Sequence, residues 1–217
     1  MFGAWIVAAK LPISQSSIRQ QFWTDMRKLL ANTQWVIFLV SILIGSLHLS
    51  LVNSFLFLHL KQLGASETLM GLTLTVATLS ELPVWFFADA MLRRWGTKGM
   101  LIFSLVACII QAFGYAWMPV PWLALVFQLL HGPAFSTMWA AGVAFAAEIA
   151  PEGTRATAQG IFGGVAMGLK SALGAFLGGI LIDRIGLVST FRWGGVAAIV
   201  GLLVFIITMR KTQPARA

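Results

Sequence analysis

Two charges stand in stretches otherwise built of hydrocarbon. Glu81 lies two residues before Pro83, and Lys170 sits in a run of glycine, alanine and leucine. Charge deep in a bilayer costs at least about 2.5–3.5 kcal/mol on insertion scales, so each needs a partner or a task. His131 precedes Gly132-Pro133. Proline removes a backbone donor and bends a helix, and an imidazole, titrating near about 6.5 when unperturbed, suits proton relay beside such a bend. The plainer reading is a histidine packed on a neighbouring helix. Gln128, His131, Phe135 and Met138 share one helical face. Ser46, Ser50, Asn53 and Ser54 share another; serines often bond the carbonyl four residues back, an escape less open to Asn53. His48, nearly opposite that stripe, suits a bond between helices or, alternatively, a site. Lys170, Glu81, His131, Gln128, Asn53 and His48 together predict a pathway for a small polar solute and protons, with Lys170 a candidate counter-charge for Glu81.

Only apolar helices can position such groups here. Of 217 residues, 59% are hydrophobic and 10% charged, and mean hydropathy is +0.86. A soluble domain carries about 25% charged residues, so this chain cannot build a water-facing surface. The net charge of +8 is scattered over separate inter-helix segments, which excludes a nucleic-acid stripe. The lone Cys108 allows neither an internal disulfide nor a thiolate metal site. Phosphate-binding glycine loops, zinc-binding helices and nucleophile–base pairs are missing from the sequence, so neither an enzyme nor a cofactor is expected.

Six spans are predicted near Trp35–Leu60, Leu69–Ala90, Gly99–Met118, Trp122–Ala147, Ala156–Ile182 and Phe191–Met209. The fold class is therefore all-α and multi-pass. Residues 1–34 read as the end of a preceding helix plus a linker, either amphipathic on the membrane surface or solvated. Ile18, Phe22, Met26 and Leu29 or Leu30 form its apolar face. Residues 35–209 are the six-helix domain and 210–217 a tail. Eleven of the fifteen Lys and Arg fall on one side of this layout and three on the other. The positive-inside rule then puts both termini in the cytoplasm. Gly160, Gly164 and Gly168 form one smooth ridge, and Gly174 and Gly178 lie on a second; such ridges let helices pack closely in lipid.

Spans one to three and four to six are of similar length. The second span of each trio ends alike, in Arg94-Trp95-Gly96 and Arg184-Ile185-Gly186. Three is odd, so the trios cross the membrane in opposite senses: an inverted 3+3 repeat, as in half of a secondary transporter. Glu81 and Lys170 lie at matching distances before those glycines.

His131-Gly132-Pro133, the segment from Ala147 to Gly160 and Gly178-Gly179-Ile180-Leu181-Ile182-Asp183-Arg184-Ile185-Gly186 resemble the C-terminal half, spans seven to twelve, of a major facilitator superfamily transporter. The likeness covers nearly the whole chain from about Phe22. It is most similar to the branch of oligosaccharide and nucleoside proton symporters and the orphan animal major-facilitator-domain proteins. The superfamily's Gly-x-x-x-Asp-Arg-x-Gly loop is expected after the second span, but Arg93 stands there in place of the acid; a better match falls at Gly179 to Gly186. The resemblance implies that the helices starting at Trp35 and Trp122 line a cavity. It also implies that Arg94, Gly96, Lys98, Arg155 and Glu148 belong to gating loops, with Glu148 and Glu152 as salt-bridge partners. It implies a missing N-terminal six-helix half, or a second copy, as partner, and so a fragment of a twelve-span protein; because it places the second and fifth spans on opposite flanks, Glu81 and Lys170 either pair with each other or each with that missing half. The function it implies is secondary transport, proton-coupled or facilitative, by alternating access; the alternative is a non-transporting scaffold or receptor.

Overall fold

The computed structural model describes residues 15–210, all of whose regular elements are helices. The predicted stump at 1–9 and the tail at 211–217 lie outside the described residues. Helix α1 is Gln15–Ala31, α2 Thr33–Gln62, α3 Glu67–Trp117, α4 Leu123–Gln128, α5 His131–Glu148, α6 Arg155–Ile185 and α7 Leu187–Arg210. Four of them, α2, α3, α6 and α7, are long and apolar enough to cross a membrane.

Helix α3 has 51 residues. At about 1.5 Å per residue that is roughly twice what a bilayer core requires. The chain resolves this at Gly96, whose φ of 67° and ψ of 171° are not helical. Glycine adopts that backbone without steric cost, so the break predicted at 95–98 falls there and divides α3 into limbs 67–95 and 97–117. The span predicted as Trp122–Ala147 is not one continuous helix. It breaks at Leu129-Leu130, because Pro133 has no N–H to offer the Leu129 carbonyl four residues back. Pro83 produces no such interruption in the first limb of α3.

Helix α6 carries an irregularity of another kind. Gly164–Leu169 is π-helical, and the Lys170 N–H bonds the Val165 carbonyl, five residues back. Single π turns inside α-helices are rare and concentrate at functional positions. Nothing in the hydropathy pattern announced it.

Two close approaches hold the bundle. Gly45 of α2 lies against Gly201 of α7, where an added Cβ would stand 2.5 Å from the Gly45 Cα. Gly132 of α5 lies against the Ser80 carbonyl of α3, and its N–H donates to Ser80 Oγ at 2.9 Å. Around them a core of Phe38, Leu105, Met138, Phe145, Phe162 and Phe205 is fully or almost fully buried.

The α1 helix docks on the bundle through part of its predicted apolar face. Leu29 is buried with Trp35 and Ala158, whereas Phe22 is 39% exposed. Asp25 is buried and accepts a hydrogen bond from Thr157 of α6 at 2.8 Å. Asn32 caps α2 through the Trp35 N–H and donates to the Ile149 carbonyl at the end of α5. The turn between α1 and α2 thus ties together the adjacent ends of α5 and α6.

Candidate functional site

Glu81 does not meet Lys170. Its carboxylate turns toward α5, where Oε1 lies 3.8 Å from His131 Nε2 and Oε2 accepts from Ser136 Oγ at 3.0 Å. Trp85, one turn further along α3, adds its indole N–H to Oε2 at 3.4 Å. The imidazole and hydroxyl reach one carboxylate because they stand five residues apart on α5, and because Gly132 lets α5 approach the backbone of α3. This is the one acid–base contact among the described residues. Side-chain exposures of 24% for Glu81 and 12% for His131 leave the pair open on one side.

Lys170 occupies the other flank of α5. It is 2% exposed, with Nζ 5.8 Å from the centre of the Phe135 ring. Phe135 in turn stacks on His131 at 5.7 Å. Carboxylate, imidazole, phenyl ring and ammonium therefore follow one another from α3 across α5 to α6. An aromatic face attracts a cation by roughly 0.5–2 kcal/mol, less than insertion scales charge for a central lysine. No carboxylate among the described residues lies within 4.0 Å of the ammonium.

His48 is buried on α2, with Nε2 3.2 Å from Gln111 Oε1 on α3. This is the helix-to-helix bond, the plainer of its two readings. The Gln111 amide also donates to the Phe127 carbonyl at 3.1 Å, just before the break between α4 and α5. Gln128 is 3% exposed and its Oε1 has no partner among the described residues, nor has His131 Nδ1. The serine stripe divides. Ser46 bonds the Ile42 carbonyl of its own helix, Ser50 donates to the Ser171 carbonyl of α6, and Asn53, one turn beyond Ser50, is exposed.

Two groups of expected contacts are present only in part among the described residues. Glu148 accepts from Thr97 Oγ1 at 2.8 Å, and neither Arg94 nor Arg155 forms an ion pair among the described residues. Lys98 Nζ instead donates to the Met209 carbonyl at 3.2 Å, near the end of α7, where a cation is favoured by the helix dipole. Within this chain the five glycines divide. Cβ atoms at Gly174 and Gly178 would strike Ser50, Leu51 and Phe55 of α2, but at Gly160, Gly164 and Gly168 they would meet nothing within 4 Å among the described residues. A smooth ridge permits close packing but does not supply a neighbour.

Sequence reasoning passed over Ser80, Trp85, Gln111 and Ser136. Two signals were available: Trp85 follows Glu81 by one turn, and Ser136 lies on the same helix as His131.

With the geometry in place, likeness to known proteins can be weighed. The family described as "MFS_1 like" matches residues 5–193. The chain belongs to the MFS_1 like family. Major facilitator superfamily domain-containing protein 6-like protein A of Xenopus laevis is 30% identical over 165 residues, covering 76% of this chain and 26% of that protein. Maltose permease of Geobacillus stearothermophilus is 26% identical over 193 residues, 88% of this chain and 48% of the permease. The crystal structure of a mutant of the nucleoside transporter NupG superposes with a TM-score of 0.78 at 21% identity, covering 92% of this chain and 54% of that one. The chain thus spans about a quarter to a half of the length of these relatives. It is a multi-pass membrane protein of the MFS_1 like family.

Proposed function

We propose that this chain is the C-terminal half of a secondary transporter for a small polar solute, completed by an N-terminal six-helix half and working by alternating access. Residues 35–209 form its six spans as an inverted 3+3 repeat, 1–34 the approach and linker, and 210–217 the tail, with both termini cytoplasmic. The nearly equal backbone geometries of Gly96 (φ 67°, ψ 171°) and Gly186 (φ 82°, ψ 164°), each closing the second span of its trio, support the repeat. The chain's cover of about half of maltose permease and of the nucleoside transporter supports the missing half.

The observation that carries the mechanism is Glu81, a carboxylate inside an apolar helix held by His131 and Ser136 on a helix that is itself broken. Neutralising or releasing such a group changes the charge in the cleft, so protonation of Glu81–His131 is coupled to the movement of α5. Gln128, with its spare acyl oxygen, meets the solute; Lys170 and Asn53 complete the pathway. His48 supports it from behind.

Uptake by proteoliposomes containing the full-length protein that carries this sequence tests the reading. Glu81→Gln keeps the Ser136 contact and removes the charge, so uptake driven by an imposed pH gradient falls at least tenfold while solute exchange persists. Equal gradient-driven uptake by wild type and variant would refute proton coupling at Glu81. A full-length protein that moves no solute of any class would favour the scaffold reading.

A further inference from the structure

A narrow furrow runs along the outside of the bundle where α2, α6 and α7 meet. Its cavity volume is about 100 Å³, and every residue lining it is apolar, among them Leu173, Leu177, Leu181, Trp193 and Ala197. The glycines of its floor make it. Gly178 and Gly194 sit against Leu51 of α2, where a Cβ would come within 2.6 and 2.8 Å of its methyl groups. From Leu173 to Leu181 the furrow extends about 12 Å along α6.

Its two ends differ. The deep end, at Leu173 and Ala197, carries no charge. The other end lies beside the α6–α7 turn, where Trp193 is 59% exposed. Arg184 stands three residues beyond Leu181 and seven beyond Leu177, so it continues the row that faces the furrow. Asp183 projects from the opposite side of α6, and Arg192 lies roughly half a turn from the Trp193 and Ala197 side of α7. Arg184 is exposed and has no hydrogen-bond or ion-pair partner among the described residues. An interfacial tryptophan beside a free guanidinium at the mouth of an apolar furrow is an arrangement for a headgroup above a chain.

We propose that this furrow binds an anionic phospholipid, one acyl chain lying along Leu173–Leu181 and the phosphate on Arg184. The furrow is open along one side, so a linear acyl chain can lie in it while facing bulk lipid outward. An acyl chain gains little by leaving bulk lipid for an equally apolar furrow, so the choice among lipids falls to the headgroup. A guanidinium pairs with phosphate in bidentate fashion. With a serine or choline headgroup nearby it has a competitor, whereas phosphatidylglycerol leaves the phosphate unopposed.

Native mass spectrometry of the full chain, released from micelles containing equal phosphatidylglycerol and phosphatidylcholine, tests this. The wild type retains phosphatidylglycerol several-fold over phosphatidylcholine, Arg184→Gln brings the ratio to one, and Arg192→Gln leaves it as in the wild type. Equal retention by the wild type, or a preference that survives Arg184→Gln, would overturn the headgroup assignment. An arginine acting only on the α6 dipole would change thermal stability equally in both lipids and leave the ratio alone, which also counts against the proposal. Ala197→Phe fills the furrow and abolishes retention of either lipid; unchanged retention would place the lipid elsewhere. Should Ala197→Phe not remain monodisperse, chain-brominated phosphatidylglycerol provides the same test. It quenches the wild type more than Trp193→Phe, and equal quenching would refute the furrow.

Discussion

Replacing Gly132 by alanine places one methyl group where α5 touches α3. An added Cβ would stand 2.8 Å from the Glu81 backbone nitrogen and closer still to the Ser80 carbonyl. Ordinary contact for such atoms is about 3.5 Å, so clearing Glu81 N alone requires α5 to withdraw by at least about 0.7 Å (3.5 less 2.8). Neither obstacle is a side chain that can rotate away. The withdrawal carries His131 from 3.8 Å to roughly 4.5 Å from the Glu81 carboxylate and takes Ser136 beyond hydrogen-bond range. Overpacking of this kind costs about 1–3 kcal/mol, and a bond between helices in a membrane about 0.6–1.7 kcal/mol. A total near 3 kcal/mol corresponds to a fall in apparent Tm of about 6–12 °C for a chain of this size. Ser80→Ala is the matched comparison. It removes the acceptor of the Gly132 N–H and leaves the space, costing about 1 kcal/mol and 2–4 °C. Tryptophan-fluorescence melting in detergent reads both. If Gly132→Ala melts within 2 °C of the wild type, or no lower than Ser80→Ala, the close approach does not hold the pair and the argument fails.

Other expectations follow from the same contacts. Lys170→Met removes a buried ammonium that has no carboxylate neighbour among the described residues, so the isolated chain gains up to about 2–3 kcal/mol and melts higher; a lower Tm would reveal an anionic partner. His48 and Gln111 form a coupled pair, and a double-mutant cycle of His48→Leu and Gln111→Leu gives an interaction of about 0.5–2 kcal/mol, with strict additivity contradicting the bond. Asn32→Ala loses both the α2 cap and the tie to Ile149, costing about 1–2 kcal/mol and increasing proteolysis between α1 and α2; Asn32→Asp restores the cap alone and recovers part of the loss.

Long apolar runs made the membrane helices legible, because hydropathy over some twenty residues is a local property. Gly96 and Pro133 were legible for the same reason: each acts on backbone within one turn of itself. What sequence alone could not supply was the partner of each polar side chain. Glu81 and Lys170 occupy matching places along their helices, which suggested a pair, yet α5 stands between them and each turns to a different residue of it. The glycine ridges divide in a similar way. Gly174 and Gly160 look alike in the sequence, and only the position of α2 distinguishes a packed glycine from an open one. Asp25 is buried and accepts from Thr157 of α6, a partner that no local pattern names.

The wide turn at Gly164–Leu169 has a consequence for how this helix is built. Bonding five residues back instead of four accommodates one residue more than an ordinary coil of the same rise. Everything downstream, from the Lys170 ammonium to the row ending at Arg184, is therefore phased by that extra residue. Tightening all six into ordinary α-helix, with none removed, would swing the following sixteen residues through about 100° relative to those before them. The ammonium would leave the Phe135 ring, and Gly174 would no longer meet Ser50. A single supernumerary residue thus sets which side of the second half of α6 looks into the protein.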